Sequence, residues 1–484
     1  MREFLKSFFS FGVATSIEKI LAFILLPIYT RLFTTTEYGM IDLCQVLMGI
    51  VSVFALLQLE TSLQRYYYKW EGDDKKIFLF SILITVISLS FFFSIIICLL
   101  SYYISSLLFS SSAYYLLVIL SAIQLPFINF SMLGLIILRY EKKNLLFTYQ
   151  VILKVVLLLL SVFVFVVFMD GGLEWVLICQ LLTLVLTSIV LYTNIKQYLL
   201  FSFSWKNLMM SFSYALPQFP ARVGSVMMVY SNRLFMVFFL TTSIIGLYSF
   251  SLKLASGVQI LGTAFMMAWL PFMYQQFAKE NHRLLFAKFM PLVSCFLFLL
   301  VSVLSLLSED IVSIVAGPDF FYSYKYIGSL SLYFALTIIK EVIDIGPKYT
   351  EKTKYVSYNY FVSLIVNVVS MYLFIVFWGI EGVIYSMILT YLILVVISWI
   401  VSNKLYYIPF SKFYFVILIL PALSISMSVM NCNMTPMTRY IILILAVAFY
   451  GIEMYMNYKK VKLYLSSNAV YTNFTVIVFF VFFL

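Results

Sequence analysis

From residue 8 to residue 456 the chain is a succession of long apolar stretches broken by short charged connections. Hydrocarbon about 30 Å thick is crossed by roughly 20 helical residues at 1.5 Å each. Inside lipid the backbone must also satisfy its own hydrogen bonds, which leaves helices or closed barrels. Stretches this long select helices. They predict about fourteen spans, at 8–33, 40–60, 77–100, 114–138, 145–169, 173–195, 212–240, 244–269, 289–307, 326–346, 356–378, 380–402, 411–430 and 438–456. The predicted class is an all-α polytopic membrane protein.

The distribution of Lys and Arg predicts its orientation. With the N-terminus inside, after Arg2 and Lys6, alternate connections collect the basic residues: Arg65 to Lys76, Arg139 to Lys143, Lys196 and Lys206, Lys279 to Lys288, Lys340 to Lys354, Lys404 and Lys412, and Lys459 to Lys462. Of the 31 basic residues, 23 fall inside, five lie within spans, and only Arg31, Lys325 and Arg439 fall outside. An even number of spans returns the C-terminus to the cytoplasm. One missed span would invert the bias in every later connection, so the charges also test the span count.

Hydrophobic residues form 64% of the chain and charged residues 11%, against about a quarter charged in soluble domains. The net charge of +11 is then an orientation signal that also suits anionic membrane lipid, and it needs no nucleic acid. Cys44, Cys98, Cys179, Cys295 and Cys432 show no CxxC or ligand spacing, so neither disulfides nor a metal is expected, and no cofactor. His282, the one histidine, reads as a solvated loop residue beside Arg283. The first apolar run is too long for a cleaved signal peptide and reads as a retained helix.

No connection is long enough for a soluble domain, so the function lies in the membrane. Three parts are predicted: a six-helix lobe at 1–205, a second at 206–404, and an extra helix pair with an apolar tail at 405–484. Gly39 opens the second span and Gly246 the eighth, each after a Thr-rich turn. Six intervening spans give both halves one orientation, a parallel repeat about an axis along the membrane normal.

Charges within spans cost roughly 2.5–3.5 kcal/mol each on insertion scales and need a partner, water or a function. Lys19, Lys154, Arg222, Arg233 and Lys253 oppose one acid, Glu18, or two with Asp42 near the outer boundary. Arg222 and Arg233 share one helical face about 16 Å apart. Pro217 and Pro220 should bend the entry to that helix. One sign of charge on one wall predicts a water-filled cavity that attracts an anion, and guanidinium is the better phosphate clamp. The structural alternative is that each base pairs with an acid or reaches for headgroups. Lys340, Glu341 and Asp344 read as boundary charges in reach of water, and the paired tyrosines as an interfacial belt.

Phe11-Gly12, Leu26-Pro27-Ile28-Tyr29-Thr30-Arg31-Leu32, Glu37-Tyr38-Gly39 and Leu63-Gln64-Arg65-Tyr66 resemble the start of Wzx-type polysaccharide (O-unit) flippases of the multidrug/oligosaccharidyl-lipid/polysaccharide exporter superfamily. Gly246 to Lys253 and Ala268-Trp-Leu-Pro271 fit the same pattern. The resemblance implies two six-helix lobes in a pseudo-twofold arrangement and alternating access. It implies a substrate of one oligosaccharide repeat on undecaprenyl pyrophosphate, moved across the bacterial cytoplasmic membrane with H+ or Na+ as coupling ion. A polysaccharide polymerase and a chain-length regulator would be partners. On this reading Arg222, Arg233, Lys253, Lys154 and Lys19 contact substrate, and Glu18 or Asp42 couples the ion.

Three other readings stay open. A multidrug exporter of the same fold would carry unpaired acids in its cavity. A lipid II flippase shares the basic cavity. A membrane-integral O-antigen polymerase, the enzyme reading, needs an acceptor site on a large outer loop, and no outer connection here exceeds about twenty residues.

Overall fold

The computed structural model describes residues 21, 23–277, 282–352 and 354–467. Glu18, Lys19 and the apolar tail at 469–484 lie outside them. Among the described residues the chain is helical, with no strand. It packs as two compact units, Met1–Gly246 and Leu247–Leu484.

The helices of the first unit are α1 (Phe23–Leu32), α2 (Thr35–Leu56), α3 (Leu59–Tyr66), α4 (Gly72–Leu99), α5 (Ser101–Phe109), α6 (Tyr115–Tyr140), α7 (Asn144–Ser161), α8 (Leu173–Ile195), α9 (Trp205–Ala215) and α10 (Phe219–Phe239). The division falls inside α11 (Thr242–Gln276). There follow α12 (His282–Leu306), α13 (Ser308–Val315), α14 (Tyr324–Ile343), α15 (Ile345–Tyr349), α16 (Lys354–Leu405), α17 (Lys412–Asn431) and α18 (Pro436–Ser467).

Eleven helices among the described residues are long and apolar enough to cross a membrane. The eleven and the predicted fourteen differ at three places. The spans at 356–378 and 380–402 run together as α16, broken at Gly379, whose φ of 57° and ψ of −129° are not helical. A side chain there would be strained, so glycine makes the hairpin. The first predicted span is represented by the short α1. The seventh is α10, whose two arginines lower its hydropathy.

Local chemistry starts and stops these helices. Thr34 and Glu37 form a capping box at the start of α2: Thr34 Oγ1 accepts from the Glu37 N–H at 3.3 Å and Glu37 Oε2 from the Thr34 N–H at 2.8 Å. At its other end Leu57 and Gln58 take φ of 46° and 64°, which turns the chain into α3. Inside the unit, α6 packs between α4 and α8. Ser52 on α2 donates to Asn129 on α6 at 2.6 Å, and Asn129 donates to Ser90 on α4 at 2.8 Å. Such hydrogen bonds and close backbone approach, rather than apolar burial, hold helices together in lipid.

The N-terminal turns of α2 and α11 cross reciprocally. A Cβ at Gly39 would stand 2.3 Å from the Thr242 carbonyl oxygen, and one at Gly246 would stand 1.9 Å from that of Thr35. Thr35 and Ser243 also join by their hydroxyls at 2.7 Å. The two glycines paired by the sequence are therefore in contact, each against a threonine four residues before the other.

In the second unit α12 packs on α14, α17 and α18, and α14 on α16. Two readings need correction here. Lys340 and Asp344 are no boundary charges in reach of water: they pair at 2.7 Å and are 1% and 0% exposed. His282 is no solvated loop residue. It is buried at the start of α12, its Nε2 2.5 Å from the Tyr406 hydroxyl, and its ring stacks on that of Tyr406. Tyr67 likewise is fully buried, whereas Tyr68, Tyr102 and Tyr103 are exposed.

Tyr67 donates to Glu141 Oε1 at 2.7 Å, and Lys75 Nζ lies 2.5 Å from the same oxygen. Burial opposes the charge on Glu141, but the bonds from Lys75 and Tyr67 and the charges of Lys75 and Lys143 prevail and hold its carboxyl below the usual range. A carboxyl depressed by folding stabilises the fold above its unfolded pKa, and that contribution is lost as the pH falls through the folded value. Thermal unfolding should therefore show the protein ahead of Glu141→Gln at pH 7, with the gap closing as the pH drops below about 4.3. A gap independent of pH would mean that packing, not charge, holds this node.

Candidate functional site

Within the first unit four helices line an open cavity of about 340 Å³, inside the size range of ligand pockets. Its walls follow helical spacing. α2 supplies Gln45, Gly49 and Ser52, α6 supplies Gln124 and Ile128, α8 supplies Leu177 and Gln180, and α10 supplies Arg222, Val226 and Tyr230. Met48, Met132, Leu56, Val53 and Cys44 complete the apolar part among the described residues. Among the described residues no aspartate or glutamate lines it.

Some polar groups in the wall are satisfied by the protein itself. Ser52 is held by Asn129, Ser121 donates to the Leu117 carbonyl at 2.8 Å, and Gln124 Nε2 donates to the Leu177 carbonyl at 3.2 Å. Arg222 is different. Among the described residues its guanidinium makes no ion pair or side-chain hydrogen bond, although Glu60 lies within its electrostatic reach. The entry to its helix is tightened by a 3₁₀ turn at Leu216–Gln218 with Pro217 at its start, and Pro220 opens α10, where the lack of an N–H costs nothing. This winding sets Arg222 in the first turn of α10, facing the other three helices.

Arg233 has another role. It is buried with its Nε 3.3 Å from Asp42 Oδ2, and its Nη1 donates to the Val229 carbonyl at 3.2 Å. Asp42, read from sequence as an ion-coupling candidate, and Arg233, read as a substrate contact, are thus partners across α2 and α10. The two arginines share a helix but only Arg222 lines the cavity. Lys154 sits half-buried on α7 and engages neighbours. Lys253 belongs to the second unit and also has interactions.

The acid tally also changes. Glu60, on α3, is only 4% exposed and its Oε2 has no hydrogen-bond partner. It follows one turn after the cavity residue Leu56, past the left-handed pair Leu57 and Gln58. Sequence reading passed over it because it stands at the end of an apolar run, where boundary acids are common. An acid closing the run Leu56-Leu57-Gln58-Leu59 without a basic neighbour was the available signal.

The model of the family described as polysaccharide biosynthesis protein matches residues 4–277, more than half of the chain and the whole of the cavity. The chain belongs to this family. Among solved structures it is similar to the lipid II flippase MurJ in its inward closed conformation, with a TM-score of 0.66, 15% identity, and coverage of 93% of this chain and 99% of that one. It is also similar to an inward-facing multidrug resistance MATE family transporter of the MOP superfamily, with a TM-score of 0.63, 14% identity, and coverage of 80% and 94%. The MATE multidrug transporter DinF-BH gives a TM-score of 0.59 at 12% identity, covering 85% and 97%. At these identities the likeness is one of fold. No curated protein sequence matches. This member of the polysaccharide biosynthesis family is therefore a multi-pass membrane protein with the fold of MOP superfamily transporters, and the cavity lies in the part of it that the family model covers.

Proposed function

We propose that this polysaccharide biosynthesis protein is a flippase. It carries oligosaccharide repeat units on undecaprenyl pyrophosphate from the inner to the outer leaflet of a bacterial cytoplasmic membrane by alternating access. The observation that carries the reading is Arg222, a guanidinium that among the described residues has no ion pair and lines a cavity with no acid in its wall. Leaving a base so placed is costly unless an anion visits it, and a pyrophosphate suits the planar donor fork. A multidrug exporter of cations would line the same space with carboxylates. Lys154, Lys253 and Lys19 would add to the positive field, both termini would be cytoplasmic, and the helices would divide as 1–205, 206–404 and 405–484. Coupling to H+ or Na+ would fall to Glu18 or Asp42. Glu60 joins them as a carboxylate within reach of Arg222.

The test follows lipid-linked sugar intermediates by leaflet after deletion of the gene. Single repeat units should accumulate in the inner leaflet and clear when the intact gene returns. Arg222→Ala should restore membrane insertion but not transport. Normal outer-leaflet units in the deletion would exclude flipping, and their accumulation there without chain growth would favour a polymerase. Accumulation of lipid II instead would favour the second reading, a lipid II flippase, which the fold similarity to MurJ supports.

A further inference from the structure

Between α2 and α10 the cavity stops at a pair of charges. The two helices run antiparallel and meet along their length, at Phe54 and Phe219 with ring centroids 5.7 Å apart, at Gly49 and Tyr230, and at Asp42 and Arg233. The wall ends at Cys44 on α2 and at Tyr230 on α10. Asp42 and Arg233 stand within one further turn of those ends, on the side that the basic connections mark as outer. The ion pair therefore closes the outer end of the space that Arg222 lines.

This closure is built to exchange. Arg233 Nε stands 3.3 Å from Asp42 Oδ2, longer than the roughly 2.7–2.9 Å of a strong charge-assisted bond, and a phosphate that takes two donors of the guanidinium fork is the better partner. Asp42 has the more exposed side chain, at 19% against 10% for Arg233, so it can turn to water when displaced. Exchange keeps Arg233 compensated throughout, which a buried base within a span requires. Arg222 and Arg233 lie eleven residues apart, about 16 Å along α10, so one phosphate meets them in turn and cannot hold both. A cation could reach for Asp42 instead, but Arg222 stands before it in the cavity. The inner end of α10 has room to tilt: Pro217 and Pro220 interrupt its entry, and a Cβ at Gly224 would meet nothing within 4 Å.

We infer that the Asp42–Arg233 pair is an anion-operated latch: a phosphate moving outward from Arg222 replaces Asp42 at Arg233 and so releases α10 from α2. The inference rests on the flippase reading and deepens it, giving the second arginine a task at the exit. It leaves ion coupling to the other carboxylates named above.

The test uses the natural thiols of the full-length protein in sealed membrane vesicles of native orientation. Cys44 is buried at the outer limit of the cavity, and Cys432 is exposed in the outer connection before α18. Geranyl diphosphate, geraniol or geranylamine is loaded inside, a small cationic membrane-impermeant methanethiosulfonate is added outside, and labelling of each cysteine is read by mass spectrometry. Binding of geranyl diphosphate to the same protein in nanodiscs is measured alongside. Cys432 should label throughout. Cys44 should label slowly in the empty protein and roughly tenfold faster with the diphosphate, as a ligand-shifted population requires, while geraniol and geranylamine should leave its rate unchanged. Asp42→Asn should label fast at Cys44 with no ligand. Because that variant leaves a buried base without its acid and can fail to fold, the neutral pair Asp42→Asn, Arg233→Gln is the second variant, and its rate should not respond to the diphosphate. Acceleration that survives in the neutral pair, equal acceleration by geraniol, slow labelling of folded Asp42→Asn, or no acceleration in an unaltered protein that binds the diphosphate would overturn the latch and leave the flippase reading to the leaflet assay. No binding of the diphosphate by the unaltered protein would overturn both.

Discussion

Replacement of Lys340 by methionine is expected to destabilise the protein by about 3–5 kcal/mol, the largest effect of any single change considered. Lys340 Nζ lies 2.7 Å from Asp344 Oδ2 and 3.0 Å from Glu341 Oε1, and it donates to the Tyr360 hydroxyl at 3.1 Å. Lys348 closes the network onto Glu341 at 3.0 Å. Methionine preserves the length and most of the packing of lysine, so the change isolates the charge. It leaves Asp344, which is fully buried, without its nearest cation. No solvent reaches Asp344, which is 0% exposed, to take the place of that cation. Thermal unfolding of the purified protein and its abundance in membranes would both fall. The double variant Lys340→Met, Asp344→Leu should recover most of the loss, because an apolar pair of similar volume often matches a buried ion pair. A shift below about 1 kcal/mol for the single variant would mean that the network is solvated and contributes little.

Gly246→Ala is expected to cost about 1–3 kcal/mol or more and to abolish transport. Its Cβ would lie 1.9 Å from the backbone oxygen of Thr35, and a backbone atom cannot turn aside as a side-chain tip can. Relief requires α2 and α11 to separate, which would also break the Thr35–Ser243 bond. Gly39→Ala meets Thr242 in the same crossing, so the double variant should cost less than the sum of the singles. Gly451→Ala is the internal control. It meets nothing within 4 Å and should be neutral or stabilise α18 by up to about 1 kcal/mol. Equal unfolding temperatures for Gly246→Ala and the unaltered protein would show that the crossing is loose.

Much of the fold was legible before any coordinates. Most predicted spans reappear within a few residues of their ends, since lipid solvation acts on each segment alone. The departures have local causes. Gly379 supplies a turn inside what otherwise stays helical, and the arginines of α10 keep it from reading as a span by hydropathy alone. The site was legible in part. Arg222 was singled out and lines the cavity; Arg233 was singled out with it and is partnered by Asp42. Both lie on one helix, and the contacts that separate their surroundings come from α2, which no spacing within α10 can reveal. Gln45 and Gln180 carried no signal, because an uncharged amide within a span is unremarkable until its neighbours are known.

Composition, span length and the alternation of basic connections by themselves determined the all-helical membrane class, since insertion free energy and leaflet charge bias are sums over local residues. The pairing of charges was decided by the tertiary structure. Which base stands opposite an acid, which carboxylate is covered and which amide is left facing a cavity depend on side chains brought together across helices distant in sequence. Those contacts decide whether a charge within a span is balanced, as at Asp42 and Arg233, or left facing a cavity, as at Arg222.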